Sequence, residues 1–158
     1  MFTLNYSYMD ADYTKWPGTV TNILTNEVLD LKDSPYVGAP ENQRSISLQY
    51  LLPVPVELGD VTLSVDYFVQ SSVHLNDTEL ADGFGKEDGY DNLNLRLSWE
   101  NVASYPVDLA VFVNNVKDDI HAVSQNSFYS VNGTANAVYS EPRMWGAELR
   151  YRFGSDSK

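Results

Sequence analysis

Tyr90-Asp91-Asn92-Leu93-Asn94-Leu95-Arg96-Leu97-Ser98-Trp99 alternates polar and apolar side chains without a break from Asn92 to Trp99. A period of two belongs to an extended strand, whose successive side chains point to opposite faces. Leu93, Leu95, Leu97 and Trp99 therefore share one face, and Asn92, Asn94, Arg96 and Ser98 the other. The polar set distinguishes this stretch from a strand of an ordinary soluble sheet, where Lys, Glu and Thr commonly face bulk water. Asn, Ser and Arg suit a crowded, wet interior. The apolar face is long enough for the apolar part of a tilted strand of about 9–11 residues that crosses a bilayer.

The same arithmetic recurs on both sides of this stretch. Phe2, Leu4, Tyr6 and Tyr8 alternate with Thr3, Asn5 and Ser7, in a strand expected to run on to Trp16. Ile46, Leu48, Tyr50 and Leu52 alternate with Ser47 and Gln49, and Val61, Leu63, Val65, Tyr67 and Val69 with Thr62, Ser64, Asp66 and Gln70. Downstream, Val107, Leu109, Val111 and Val113 alternate with Asp108, Ala110, Phe112 and Asn114, and Trp145, Ala147, Leu149, Tyr151 and Phe153 with Gly146, Glu148, Arg150 and Arg152. No segment has the three-to-four spacing of an amphipathic helix. The expectation is all-β, with six antiparallel strands.

The connections alternate in length. Residues 17–42, 76–89 and 115–142 form long links, whereas 53–60 and 101–106 are short. Long loops on one side and short turns on the other are the habit of outer-membrane barrels, with the long loops outside the cell. On that assignment Phe2, Tyr50, Trp99, Tyr105, Tyr151 and Phe153 fall at the periplasmic ends of their strands, and Tyr8, Tyr67 and Trp145 toward the opposite ends. Tyr50, Trp99, Tyr105 and Trp145 are the candidate residues of two aromatic girdles, whose amphipathic rings sit at headgroup level. A sheet with open edges would leave backbone groups unpaired in hydrocarbon, so six strands need further strands to close a barrel. The opening residues show no basic, apolar and small-residue sequence of a secretory signal, and the chain is expected to be part of a longer protein.

Composition narrows the function classes. The 158 residues hold 22 acidic and 10 basic residues, a net charge of −12, which argues against nucleic acid as a partner because a polyphosphate is held mainly by clustered Lys and Arg. With no cysteine, there is no disulfide, thiolate metal site or thiol nucleophile. Metal chemistry would rest on His74, His121 and carboxylates, and only Asp119 and His121, two apart on an extended segment, could share a face. No metal site and no cofactor is assigned. Ser72 with His74, and Ser124 with His121, lack the glycines and oxyanion donor of a nucleophile elbow, so the chain is not read as an enzyme.

The run Tyr90 to Trp99, then Val107-Asp108-Leu109-Ala110-Val111-Phe112-Val113-Asn114-Asn115-Val116-Lys117-Asp118, then Glu141-Pro142-Arg143-Met144-Trp145-Gly146-Ala147-Glu148-Leu149-Arg150-Tyr151-Arg152-Phe153, resembles the carboxy-terminal end of TonB-dependent outer-membrane receptors. Tyr8-Met9-Asp10-Ala11-Asp12-Tyr13 and Ala39-Pro40 fit the same family in the same order. The resemblance implies the last six strands of a barrel of about 22, the plugged class of transporter, over residues 1–153, with a short polar tail at 154–158 and the plug domain absent. It further implies the outer membrane of a Gram-negative cell and uptake of a scarce nutrient, by family default a ferric siderophore or similar iron chelate. Outer-membrane lipid, the TonB complex acting through the missing plug, and the barrel-assembly machinery are the implied partners.

Gly146, Leu149, Tyr151 and Phe153 match the family's carboxy-terminal assembly signal, although Gly154-Ser155-Asp156-Ser157-Lys158 follows where that signal usually ends. Asp77, Glu79, Asp82, Glu87 and Asp88, with Asp91, form an acidic loop that could face a ligand or a hard cation. Asn132-Gly133 reads as a tight hairpin tip inside the last long loop. Arg96, Arg150 and Arg152 are expected to contact the plug or carboxylates such as Glu148. The competing class is a soluble β-sandwich that binds carbohydrate or another ligand, with Trp16 and Tyr36 stacking on sugar; it requires the apolar faces to pack on one another in a dry core.

Overall fold

Six separate alternating stretches make one apolar surface only if the strands pair in a register that keeps like residues opposite. A slip by one residue would turn a strand's whole apolar set to the other face. The computed structural model describes residues 1–15, 18–22, 25–76 and 84–154. In chain order its strands are β1 (Phe2–Tyr8), β2 (Thr19–Asn22), β3 (Glu27–Asp30), β4 (Asn42–Leu51), β5 (Asp60–Gln70), β6 (Val73–His74), β7 (Lys86–Glu87), β8 (Tyr90–Glu100), β9 (Val107–Asn114), β10 (Ala122–Phe128), β11 (Thr134–Tyr139) and β12 (Met144–Tyr151). One α-helical turn, α1 (Tyr129–Asn132), caps the β10–β11 hairpin.

The six long strands form one antiparallel sheet in the order β1-β4-β5-β8-β9-β12, each beside its neighbour in the meander. The register keeps the stripes together. Leu4 lies opposite Ile46, Ile46 opposite Tyr67, and Tyr67 opposite Leu93. Leu97 lies opposite Val111, and Val111 opposite Ala147. The other face carries Ser47 opposite Asp66, Asp66 opposite Asn94, and Asp108 opposite Arg150. The all-β antiparallel expectation is met, strand for strand. One boundary differs: β1 ends at Tyr8, short of Trp16, and residues 16 and 17 lie outside the described residues. Past Tyr8 the alternation shifts phase, with Asp10 and Asp12 where the apolar set would continue and Met9, Ala11 and Tyr13 on the other face, so the apolar stripe ends at Tyr8.

Among the described residues no second layer covers the apolar face. Among the described residues the buried hydrophobic side chains are Leu31, Val73, Ala110 and Ala122, and none belongs to the apolar stripe. Leu4 is 59%, Val111 53% and Leu149 73% exposed. A sheet with one apolar face and nothing packed on it lacks the core that a soluble domain needs. The dry core required by a soluble sandwich is therefore absent among the described residues.

The two edges of the sheet are built differently. At the short-turn edge, single 3-10 turns at Val56–Leu58 and Val102–Ser104 lie side by side. The Trp99 indole N–H donates to the Leu58 carbonyl at 2.6 Å and the Ser104 hydroxyl to the Glu57 carbonyl at 3.1 Å, so one turn holds the next. Gly59, at φ +90°, fits between them because a Cβ there would sit 2.3 Å from the Glu100 carbonyl oxygen. At the long-loop edge the connections fold into their own hairpins, β2–β3, β6–β7 and β10–β11. Asn132-Gly133 does fall at a hairpin tip, but the tip is a full helical turn closed by Gly133 at φ +75° rather than a two-residue turn.

Candidate functional site

The polar face of the sheet is where chemistry is concentrated, and it divides in two along the strands. Toward the short turns it is ionic. The Arg96 guanidinium reaches across β9 and donates two hydrogen bonds to the Glu148 carboxylate, at 3.1 and 2.6 Å. The small, buried Ala110 lies opposite Glu148 and gives the pair room. Arg152 pairs with Asp108 at 2.9 Å. The expectation that these arginines meet neighbouring carboxylates is thus met within the sheet for Arg96 and Arg152. Phe112 interrupts the polar face. A Cβ on Gly146 would lie 2.6 Å from Phe112 Cζ, so the glycine leaves space for that ring.

Toward the long loops the polar face is aromatic and amidic. The Phe68 and Tyr90 rings lie 6.0 Å apart, and the His121 imidazole stacks on Tyr90 at 3.4 Å with planes 12° apart. His121 comes from the last long loop, so this stack lays the loop over the sheet. The Asn115 carboxamide organises the loop's root. It donates to the Asp119 and Glu141 carbonyls at 2.9 and 3.1 Å and accepts from the Asp119 N–H at 3.0 Å, while its own backbone N–H donates to Asn94 Oδ1 at 2.9 Å. Asparagine suits this place because Asn115 has φ 51°, in the left-handed region that few other side chains tolerate. The Ser140 N–H donates to the His121 carbonyl at 2.8 Å, and the His121 N–H to the Ser140 hydroxyl at 3.1 Å. Between loop and sheet lies a cavity of about 510 Å³.

On the opposite, apolar face of the same edge, Lys117 is ion-paired with Asp91 and lies 5.5 Å from the Tyr67 ring centroid. The Asp91 hydrogen bond holds the Lys117 ammonium above the ordinary lysine range. Asp118 accepts from the Arg143 N–H at 2.8 Å and faces its guanidinium at 3.6 Å. Asp91 therefore belongs to β8 and to this ion pair rather than to an acidic ligand loop.

The remaining sequence-predicted residues are placed as follows. Asp77, Glu79 and Asp82, like Trp16, lie outside the described residues. Glu87 lies in the β6–β7 hairpin and Asp88 just beyond it, and neither lines the cavity. Tyr50, Trp99 and Tyr105 sit at the short-turn edge and Trp145 at the other, 81% exposed on the apolar face. Leu149, Tyr151 and Phe153 are exposed on the apolar side, Gly146 faces the other way, and β12 stops at Tyr151. Tyr36 packs on Tyr13 at 4.9 Å, which takes one face of its ring away from any sugar. No group of three or more His, Asp or Glu side chains able to hold a metal occurs among the described residues. Asp119 is held through its backbone by Asn115, and His121 stacks on Tyr90. Sequence reasoning placed Asn92, Asn94 and Asn114 on the polar face but did not single them out. What unites them with His121 is a contact between residues far apart in the chain.

No family model and no curated protein matches this sequence. A solved structure, the ferric yersiniabactin uptake receptor FyuA from Yersinia pestis, is similar in fold, with a TM-score of 0.61 at 15% identity over 75% of this chain and 17% of that one. At that identity the likeness concerns the fold: this chain has the strand arrangement of part of an outer-membrane receptor barrel, and it spans about a sixth of that receptor's length.

Proposed function

We propose that this chain is a stretch of barrel wall from a TonB-dependent outer-membrane receptor, taking up a scarce small molecule into a Gram-negative cell. The observation that carries this reading is the uncovered apolar face of the six-stranded sheet. Such a face is costly in water and stable against lipid. The fold shared with part of a receptor barrel supports it. On this reading the edge with long loops is extracellular and the interlocked turns are periplasmic. Tyr50, Trp99, Tyr105 and Trp145 sit at the two lipid headgroup levels, and Leu149, Tyr151 and Phe153, with Gly146, present the last strand to the assembly machinery. The acidic residues Asp77, Glu79, Asp82, Glu87 and Asp88 belong to an extracellular loop, energy enters from TonB through a plug outside these residues, and an iron chelate is the first substrate class to test.

The test is a blot of fractionated envelope with an antibody against residues 76–89, using heated and unheated samples. A band extracted only by detergent, which changes mobility on heating, is expected; a soluble protein whose mobility ignores heat overturns the assignment. Slower growth of a deletion strain on a limiting ferric chelate would identify the substrate class, and unchanged growth would remove iron while leaving the barrel in place.

A further inference from the structure

We infer that the cavity between residues 121–142 and the sheet binds an uncharged, hydroxyl-rich ligand, of which a neutral oligosaccharide is the type. The inference rests on the uptake reading and replaces its default substrate.

The lining carries it. Tyr139 and Phe68 supply aromatic faces, Tyr90 being covered on one face by His121, and Asn92, Asn94 and Asn114 supply carboxamides, which donate and accept at once. That is the pairing a sugar ring needs: flat C–H faces that stack on rings, and hydroxyls that both give and take hydrogen bonds. The volume of about 510 Å³ accommodates a ligand of a few sugar units.

Charge points the same way. Among the described residues no Lys or Arg lines the cavity, and the carboxylate that does, Glu141, is exposed. The polar-face arginines Arg96 and Arg152 lie toward the other edge and are paired with Glu148 and Asp108. An anionic chelate brought here would lose hydration with no cation to replace it. The covering loop repeats the chemistry: residues 122–140 contain no Asp, Glu, Lys, Arg or His, in a chain with 22 acidic and 10 basic residues. Their polar side chains are all hydroxyls and carboxamides.

The experiment uses the receptor that carries this chain, purified in detergent and first shown to be a folded barrel by its heat-dependent mobility. Calorimetric titrations compare neutral trisaccharides, those of maltose, cellobiose and xylobiose type, with ferric citrate as the anionic probe. Binding of a trisaccharide is expected, at an affinity that does not change between low and high salt, because no ion pair forms. Tyr139→Ala should weaken it by about tenfold or more through loss of the stacking face, while Tyr139→Phe retains it. Binding of ferric citrate alone, or of no probe, by a receptor that is still a barrel overturns this inference and leaves the uptake reading intact. A protein that forms no barrel overturns the uptake reading itself.

Discussion

Two glycines without room for a Cβ differ in what fills the space. At Gly59 the obstacles are the backbone oxygens of Glu100 and Asn101, at 2.3 and 2.4 Å, and φ is +90°. Neither oxygen can swing away, so Gly59→Ala should cost more than the roughly 1–3 kcal/mol of a strained backbone position alone. At Gly146 the obstacle is the far end of the Phe112 ring, which can turn. Gly146→Ala is expected to cost about 1–3 kcal/mol, as overpacking does, and Phe112→Leu should recover most of it. The temperature at which the folded band is lost in an unheated gel ranks the variants; equal losses for the two glycines, or no rescue at 112, would show that these spaces are not what constrains them. Lys117 offers a third test. Asp91 raises its pKa above the ordinary 10.5, so the ion pair's contribution is full below pH 10.5 and is lost as pH rises through the raised value. An acylating reagent attacks only the neutral amine. Lys117 should therefore react faster at alkaline pH in the Asp91→Asn variant than in the unaltered chain, and an equal rate in the two would remove the ion pair as the cause.

The long strands and the loop hairpins differ in how they are held, and this also decides how far each was legible. A strand such as β8 was readable because eight consecutive residues keep one period, and its neighbours repeat it in matching phase. The hairpins were not. β6 and β7 are two residues each, too short for any period, and β10–β11 sets polar residues on both faces, Asn126 opposite Asn136 on one and Gln125 opposite Ala137 on the other, so neither face declares itself. The reading of β1 is too long because Met9, Ala11 and Tyr13 keep a period of two past Tyr8, on the opposite face, and nothing local marks a turn. The stack of His121 on Tyr90 and the support from Asn115 are long-range, and spacing carries no information about them. Because β10 and β11 pair only with each other, the hairpin is separable from the sheet. Replacing residues 123–138 by a short Gly-Ser link should leave the heat-modifiable barrel in place and abolish ligand uptake. Loss of the folded band as well would mean that the hairpin serves assembly instead.

At the scale of the molecule, the six strands give one sheet two environments, and β1 and β12 each pair on one side only. In hydrocarbon each unpaired backbone group costs several kcal/mol, so in the proposed receptor further strands must flank both edges. The face assignment can be tested along β12 because the chain holds no cysteine of its own. Single cysteines at Ala147 and Leu149 lie on the apolar face, and at Glu148 and Arg150 on the polar one. Nitroxides attached to these cysteines in the unfolded receptor, before it is refolded into bilayers, should be relaxed by oxygen, which partitions into lipid, at 147 and 149, and by a water-soluble paramagnetic nickel chelate at 148 and 150. A soluble sandwich gives a different pattern: its apolar positions are shielded from both relaxation agents, and only its polar ones respond, to the nickel chelate. Alternation between relaxation agents with a period of two is what a strand with lipid on one side and a watery lumen on the other must produce, since neighbouring side chains differ only in which face they take.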